Sequence, residues 1–326
     1  NWAKRESIST ELTFFKKKEY NCSLGGKEYR IGEGEPTFTV KFNKSIPVSE
    51  LMTSTSIALG EAYMNGDLEI EGDLYEALDH FLGQMGKFST DQKALKKLYL
   101  KEGMSLLDIG CGWGFLLIEA AKKYKVRGTG ITLSEEQYKE CQNRIKAEGL
   151  EDYVDVELMD YRDLPKLGRQ FDRVVSVGMV EHVGRDNYDL FLKCADQVMK
   201  KGGLFLLHFI SALKEHPGDA WIKKYIFPGG TVPSLREMVN AMAEHDFHTM
   251  DIENLRLHYN RTLRCWRKNY LEHLDEVKKM FDEKFIRMWD LYLAACAATF
   301  HNGIIDIHQI LMTKGINNDL PMVRWY

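Results

Sequence analysis

The stretch Asp108-Ile109-Gly110-Cys111-Gly112-Trp113-Gly114, entered from Leu106-Leu107, carries the clearest chemical signal in the chain. An apolar run meets an acidic residue, then three glycines at alternating positions, then an amphipathic run of helical character. Glycines at such a turn let the backbone reverse tightly and approach a ligand where any Cβ would collide. A dinucleotide loop usually reads G-x-G-x-x-G, with a pyrophosphate on the helix N-terminus and an acidic residue about 20 positions later. Here the spacing is G-x-G-x-G, and the acidic residue, Asp108, stands before the first glycine. A carboxylate at that point suits a cationic cofactor better than a pyrophosphate.

Three further residues could do chemistry. Glu181 lies in Ser176-Val177-Gly178-Met179-Val180-Glu181-His182-Val183-Gly184, His208 in Leu206-Leu207-His208-Phe209-Ile210, and Tyr259 in Leu257-His258-Tyr259-Asn260-Arg261-Thr262. Singly, each has a plain structural explanation: a capping carboxylate, a satisfied core histidine, a packed tyrosine. Together, at the carboxyl ends of successive predicted strands, they form a small polar cluster in an apolar setting, the usual form of a catalytic pocket.

The elements that must position these residues follow from periodicity. Apolar or alternating runs predict strands at 105–109, 127–132, 154–159, 171–177, 203–210, 250–257 and 304–313, with helices between them. Ser134-Glu135-Glu136-Gln137 and Ser234-Leu235-Arg236-Glu237 both fit a capping box. Such alternation predicts an α/β, doubly wound, mostly parallel sheet, with its ligand at the carboxyl ends of the strands. Residues 262 to about 303 read as two long helices. The first 97 residues differ: short β-like runs among glycines, then helices at 52–64 and from 74, predict a smaller N-terminal α+β domain. The expected division is 1–97 and 98–326.

At the second strand end, Thr132-Leu133-Ser134 stands where a nucleotide fold commonly carries a ribose-binding acid, so that role passes to Thr132 or Gln137. At the third, Asp160-Tyr161 suits the border of an adenine, as acceptor and flat wall. Tyr161 reads equally well as a core aromatic.

Composition bounds the rest. The chain has 326 residues, 44% apolar and 28% charged, with a net charge of −4. That balance lacks the basic footprint of a nucleic-acid binder. Cys22, Cys111, Cys141, Cys194, Cys265 and Cys296 are scattered without C-x-x-C spacing. This predicts reduced thiols in a cytoplasmic setting and no metal site. No apolar run approaches the roughly 18 residues of a membrane span, and no secretory signal is visible.

The loop with its flanks resembles the S-adenosylmethionine loop of class I methyltransferases, which implies a Rossmann-like fold with a seven-stranded mostly parallel sheet. Val180–Gly184, Phe205–Ile210, Trp221-Ile222-Lys223-Lys224-Tyr225-Ile226-Phe227-Pro228-Gly229-Gly230 and Met288-Trp289-Asp290-Leu291-Tyr292-Leu293 together resemble the cyclopropane-fatty-acyl-phospholipid synthases, relatives of the mycolic acid cyclopropane synthases. Leu59-Gly60-Glu61-Ala62-Tyr63-Met64 extends the likeness into the small domain. The resemblance implies transfer of a methylene group from S-adenosylmethionine to a cis double bond of a phospholipid acyl chain. It implies a carbocation that bound bicarbonate deprotonates. It implies that Glu181, His208, Tyr259 and the backbone of Ile210 hold that anion, and that Asp108, Gly110, Gly112, Thr132, Leu133, Gln137, Asp160, Tyr161 and Gly178 line the cofactor. It further implies peripheral contact at the inner membrane face and a homodimer.

One departure is large. The family carries, before its first strand, a segment with Tyr-Asp, Asn-Asp-Phe-Tyr and Tyr-Ser-Cys motifs that covers the cofactor and supplies a cysteine. Here Lys96-Lys97-Leu98-Tyr99-Leu100-Lys101-Glu102-Gly103 runs almost directly into the strand. The expectation is a flexible lid belonging near 97–98 that orders on binding. Two stretches combine aromatic and cationic residues as interfacial segments do, Trp221–Pro228 and Phe14-Phe15-Lys16-Lys17-Lys18. The former reads equally as a packed loop, and the latter more simply as a solvated face. A fatty-acid C-methyltransferase, or a silent lipid-binding protein on the same fold, are the alternatives.

Overall fold

The computed structural model describes residues 20–24, 27–31, 37–44, 46–47, 50, 55–82 and 95–321. In chain order the elements begin with strands β1 (Tyr20–Leu24), β2 (Lys27–Ile31) and β3 (Thr39–Phe42), helix α1 (Thr55–Met64), strand β4 (Leu68–Glu71) and helix α2 (Leu74–Leu82). Then come β5 (Ser105–Ile109), α3 (Phe115–Tyr124), β6 (Arg127–Thr132), α4 (Glu135–Ala147), β7 (Val154–Leu158), β8 (Phe171–Val177), α5 (Tyr188–Gln197) and β9 (Met199–Ala212). The chain closes with α6 (Ala220–Tyr225), α7 (Leu235–Ala243), β10 (Phe247–Asn254), α8 (Arg256–Glu272), α9 (Leu274–Met280), α10 (Glu283–His301) and β11 (Ile305–Lys314).

These elements assort into two compact units that are not successive in sequence. One takes residues 1–89, 218–228 and 256–305; the other takes 90–217, 229–255 and 306–326.

The second unit is built on a seven-stranded sheet ordered β10-β11-β9-β8-β5-β6-β7. β9, β8, β5, β6 and β7 pair in parallel, and β10 pairs antiparallel with β11. Both faces are covered, so the central strands are apolar on both sides. Leu107, Ile109, Phe205 and Leu207 join Phe191, Leu192 and Met238 in one layer; Leu106, Leu204 and Leu206 join Leu117, Ile118 and Ile145 in the other. This is a class I, Rossmann-like architecture. β5 has β6 on one side and β8 on the other, so the strand order reverses there and opens a crevice at their carboxyl ends.

Ser234 and Glu237 form the complete reciprocal capping box at α7. At α4 only half of it exists: Ser134 accepts from the Gln137 amide, while the Gln137 side chain turns to Thr132.

The junction expected to hold a lid is continuous and packed. Lys97 and Leu98 belong to a 3₁₀ turn, Leu95–Leu98. The Leu98 carbonyl accepts from Arg173 Nε at 2.6 Å. Lys97 is fully buried, with its ammonium 3.1 Å from Asp251 and paired also with Glu253, both on β10. The buried ammonium fastens this turn to the sheet.

The first unit contains a four-stranded sheet ordered β2-β1-β3-β4, with Phe38, Val40, Ala62, Leu68 and Ala77 in its core. Residues 262–303, expected as two helices, form parts of α8, α9 and α10. Arg287 on α10 donates to the carbonyls of Tyr63 and Leu68 and lies 4.4 Å over the Tyr63 ring. Asn260 on α8 donates to Ala297 O at 2.7 Å and to the Tyr75 hydroxyl at 3.0 Å. Gly60 faces the buried Trp221: a Cβ at Gly60 would lie 2.6 Å from the indole.

Candidate active site

The crevice at the carboxyl ends of β5, β6 and β8 is a cleft of about 570 Å³. Gly110, Gly112, Thr132, Leu133, Gln137, Asp160, Tyr161 and Gly178 all line it, so eight of the nine residues expected around a cofactor share one cavity wall. Gly110 has φ +83°, and a Cβ there would stand 2.8 Å from Met179 Cγ. Only glycine meets both conditions without strain. The amides of Gly110 and Cys111 both donate to Ile131 O, at 3.1 and 2.9 Å, which fastens the loop to β6.

Asp108, the ninth, lies beneath the loop rather than in the wall. It is 3% exposed, and its Oδ1 has no hydrogen-bond partner. Burial alone pushes its carboxyl up to about 7.

On the second strand end, the Thr132 hydroxyl donates to Gln137 Oε1 at 2.8 Å and accepts from the Ser134 amide at 3.2 Å. With its oxygen so engaged, Gln137 turns its NH₂ group to other acceptors. Asp160 accepts from its neighbour Arg162 through Nε, Nη2 and the backbone amide, at 2.8, 2.6 and 2.9 Å. The guanidinium holds that carboxyl below the usual range. Tyr161 does both things the sequence allowed: it lines the cleft and packs edge-on against Phe191 at 5.5 Å.

Beside the cleft, Glu181 sits in the short 3₁₀ turn Val180–His182. Its Oε1 accepts from the Ile210 amide at 2.6 Å, while Oε2 is buried and has no partner. Burial pushes this carboxyl up to about 7. His208 and Ile210 are two apart on β9, so their side chains share a face of the sheet. His208 Nδ1 is likewise buried and unpartnered. Burial, with smaller effects of Lys97 and His308, lowers the imidazole to about 4, so it is neutral at pH 7. The Gly178 amide donates to His208 O at 2.9 Å, coupling a cleft-lining glycine to the strand that bears the histidine.

The backbone of Ile210, expected to help hold an anion, donates its amide to Glu181 Oε1. One expectation requires correction. Tyr259, expected to follow a strand, stands in the first turn of α8 and belongs to the first unit. There its ring packs edge-on against Phe300 at 4.9 Å and Trp266 at 6.1 Å. β10 ends at Asn254, earlier than expected, because Arg256 opens a helix. Its guanidinium donates to the carbonyls of Phe300 and His301 at the end of α10.

Met179, Arg162, Val183 and Asn187 also line the cleft. The first three flank predicted residues and were within reach of the motif, while Asn187 carries no local signal. In Trp221–Pro228, Trp221 is buried, and Lys224 and Tyr225 both bind Glu61 Oε1, at 2.7 and 2.6 Å. Phe227 is 40% exposed. Phe14 to Lys18 lie outside the described residues. Among the described residues no helix is long and apolar enough to cross a membrane.

Comparison with known proteins places this geometry. The family described as mycolic acid cyclopropane synthetase matches residues 79–310, and a domain family of unknown function matches 24–93. A probable fatty acid methyltransferase of Pseudomonas putida is 40% identical over 279 residues, covering 82% of this chain and 70% of that protein. The cyclopropane-fatty-acyl-phospholipid synthase of Escherichia coli K12 is 43% identical over 241 residues, which is 72% of this chain but only 61% of that protein. Among solved structures, the cyclopropane synthase MmaA2 of Mycobacterium tuberculosis gives a TM-score of 0.63 at 32% identity, covering 68% of this chain and 81% of that one. The mycolic acid cyclopropane synthase CmaA1, complexed with SAH and CTAB, gives 0.63 at 31%, with the same coverage.

Proposed function

The chain belongs to the mycolic acid cyclopropane synthetase family, and from that membership we propose that it transfers a one-carbon unit from S-adenosylmethionine to the double bond of an unsaturated acyl chain. The preferred product is a cyclopropane ring on a membrane phospholipid: bound S-adenosylmethionine would supply the carbon to the π bond and leave as S-adenosylhomocysteine, and loss of a proton from the added carbon would let the ring close.

The cleft suits the cofactor by its own chemistry. The left-handed Gly110 lets backbone approach closely. Asp108 places a carboxyl beneath the loop, favouring a cationic ligand. Gln137 and Thr132 offer polar groups to a ribose, and Asp160 and Tyr161 an acceptor and a flat wall to an adenine.

The observation that carries the proton-transfer part is the pair of buried, unpartnered atoms Glu181 Oε2 and His208 Nδ1. Buried polar atoms normally have partners, so these two are suited to a small bound group. Bicarbonate fits that donor and acceptor set, and when bound it would supply a base beside the developing cation. Glu181, anchored by Ile210, would accept from such a group, and the neutral His208 would donate or accept according to its tautomer. Contact of the protein with the inner membrane face, and assembly as a homodimer, are part of the same reading.

A second reading is C-methylation without ring closure, favoured by the likeness to the probable fatty acid methyltransferase of Pseudomonas putida. Both begin with the same attack and differ only in how the cation is discharged.

The test is incubation with S-adenosylmethionine, bicarbonate and vesicles of unsaturated phospholipid, with products read by mass spectrometry and proton NMR. High-field cyclopropyl protons are expected; a methyl-branched or methylene product selects the second reading. Full activity in Glu181→Gln would remove the site assignment. Vesicle binding that weakens with salt is expected for docking on anionic lipid.

A further inference from the structure

Cys111 and Cys141 lie far apart in sequence but meet under the cofactor loop. Cys111 is the residue between Gly110 and Gly112, and Cys141 is on the inward face of α4. Both are buried, at 7% and 0% exposure, and both are free thiols. Cys141 Sγ lies 3.3 Å from Gly112 O, and Cys111 Sγ 4.0 Å from the same carbonyl. A Cβ added to Gly114 would touch Cys141 Sγ at 3.0 Å, and one added to Gly130 would touch Cys111 Sγ at 2.8 Å. The two sulfurs therefore occupy a tight space walled by glycines of the loop and of β6. The two thiols act on one another: the neighbouring sulfur raises the Cys111 thiol and lowers Cys141, with Arg144 one turn on adding to the second effect. Cys141 is thus the sulfur readier to become a thiolate and attack an oxidant.

We propose that Cys111 and Cys141 form a reversible disulfide under peroxide, and that this bond closes the cofactor cleft. Cys141 thiolate attacks one peroxide oxygen, the O–O bond breaks, and water leaves, giving a sulfenic acid on Cys141. Cys111 sulfur then displaces the hydroxyl as a second water, and the S–S bond forms. Two thiols are oxidised by two electrons, and one peroxide is reduced to two waters. An S–S bond is about 2.05 Å long, much shorter than any non-bonded contact between two sulfurs, so one partner must move. Cys141 is held within a helix, whereas Cys111 lies in a loop whose neighbours Gly110 and Gly112 line the cleft. The displacement therefore falls on the loop.

The bond itself is independent of the functional reading above; only its effect on the cofactor rests on that reading. The reduced full chain is treated with hydrogen peroxide and, in parallel, left untreated. The expected results are an intact mass lower by two hydrogens, a peptide linking Cys111 to Cys141, and affinity for S-adenosylhomocysteine reduced at least about tenfold. Dithiothreitol should restore both mass and binding. Cys141→Ala, with Cys141→Ser as a second variant, should bind in the reduced state and keep that affinity under peroxide. Absence of the linked peptide overturns the proposal, as does a linked protein with unchanged affinity. Loss of binding that persists in the Cys141 variants assigns the effect to another thiol, such as the exposed Cys265, and also overturns it. Failure of the reduced chain to bind S-adenosylhomocysteine would instead strike at the cofactor reading.

Discussion

Glu181 Oε1 takes the amide proton of Ile210 at 2.6 Å, while Oε2 of the same carboxyl is buried with no partner at all. One oxygen anchors the group to β9, and the other is left for a ligand. Glu181→Gln can keep the anchor, since an amide oxygen also accepts, but it removes the charge. Initial rates should fall by about 100-fold or more, with thermal stability unchanged or raised. A rate within a few-fold of the parent would contradict the assignment.

The ligand-free protein should become less stable as pH rises from about 5 to 7. Glu181 and Asp108 are both raised to about 7, so their contribution is present at low pH and is lost as pH climbs through that value. His208, lowered to about 4, works oppositely: its contribution is present above the ordinary histidine range and is lost as pH falls toward 4. Moving a carboxyl this far corresponds to about 3–4 kcal/mol, and His208 offsets about one carboxyl. The net fall should be at most about 4 kcal/mol, and Glu181→Gln should nearly flatten it. Urea denaturation across this window measures both curves, and a parent curve already flat would count against the buried carboxyls.

Gly110→Ala meets two obstacles, a φ of +83° and Met179 Cγ at 2.8 Å. Affinity for S-adenosylhomocysteine, measured by calorimetry, should drop about tenfold or more.

Gly60→Ala should destabilise the protein by about 1–3 kcal/mol, because the new Cβ would sit 2.6 Å from the buried indole of Trp221. An aromatic ring enclosed on its other sides has nowhere to swing. An unaltered melting temperature would show that the helix can shift instead.

Lys97→Met should cost about 3–5 kcal/mol, since it leaves Asp251 and Glu253 without their buried cation. Adding Asp251→Asn and Glu253→Gln to that variant should recover much of the loss, which urea denaturation of the single and triple variants measures.

The parallel sheet was legible because its strands are short apolar runs bounded by glycine and caps: 105–109, 127–132 and 171–177 have the same limits in the structure as in the sequence pattern. The loop and its cleft were legible for the same reason, since their chemistry is written in consecutive residues. What escaped depends on partners far along the chain. Tyr259 was assigned to a strand end because nothing near it announces that Arg256 will bind carbonyls 44 and 45 residues later. Gln137 looks like a reciprocal cap, yet Thr132 captures its amide. Nothing near Lys97 announces that β10 will bring Asp251 and Glu253 to it as a buried ion pair.

The chain passes between its two compact units after residues 89, 217, 228, 255 and 305. A recombination joint placed at any one of these points would therefore carry over an incomplete set of elements. Exchanging the first 89 residues for those of a relative, for example, would leave α6 and α8 to α10 with a foreign counterpart. New properties are therefore more accessible by point substitution within each unit than by swapping an amino-terminal cassette. A protein whose modules follow one another in sequence tolerates a single joint; this chain would need several made together.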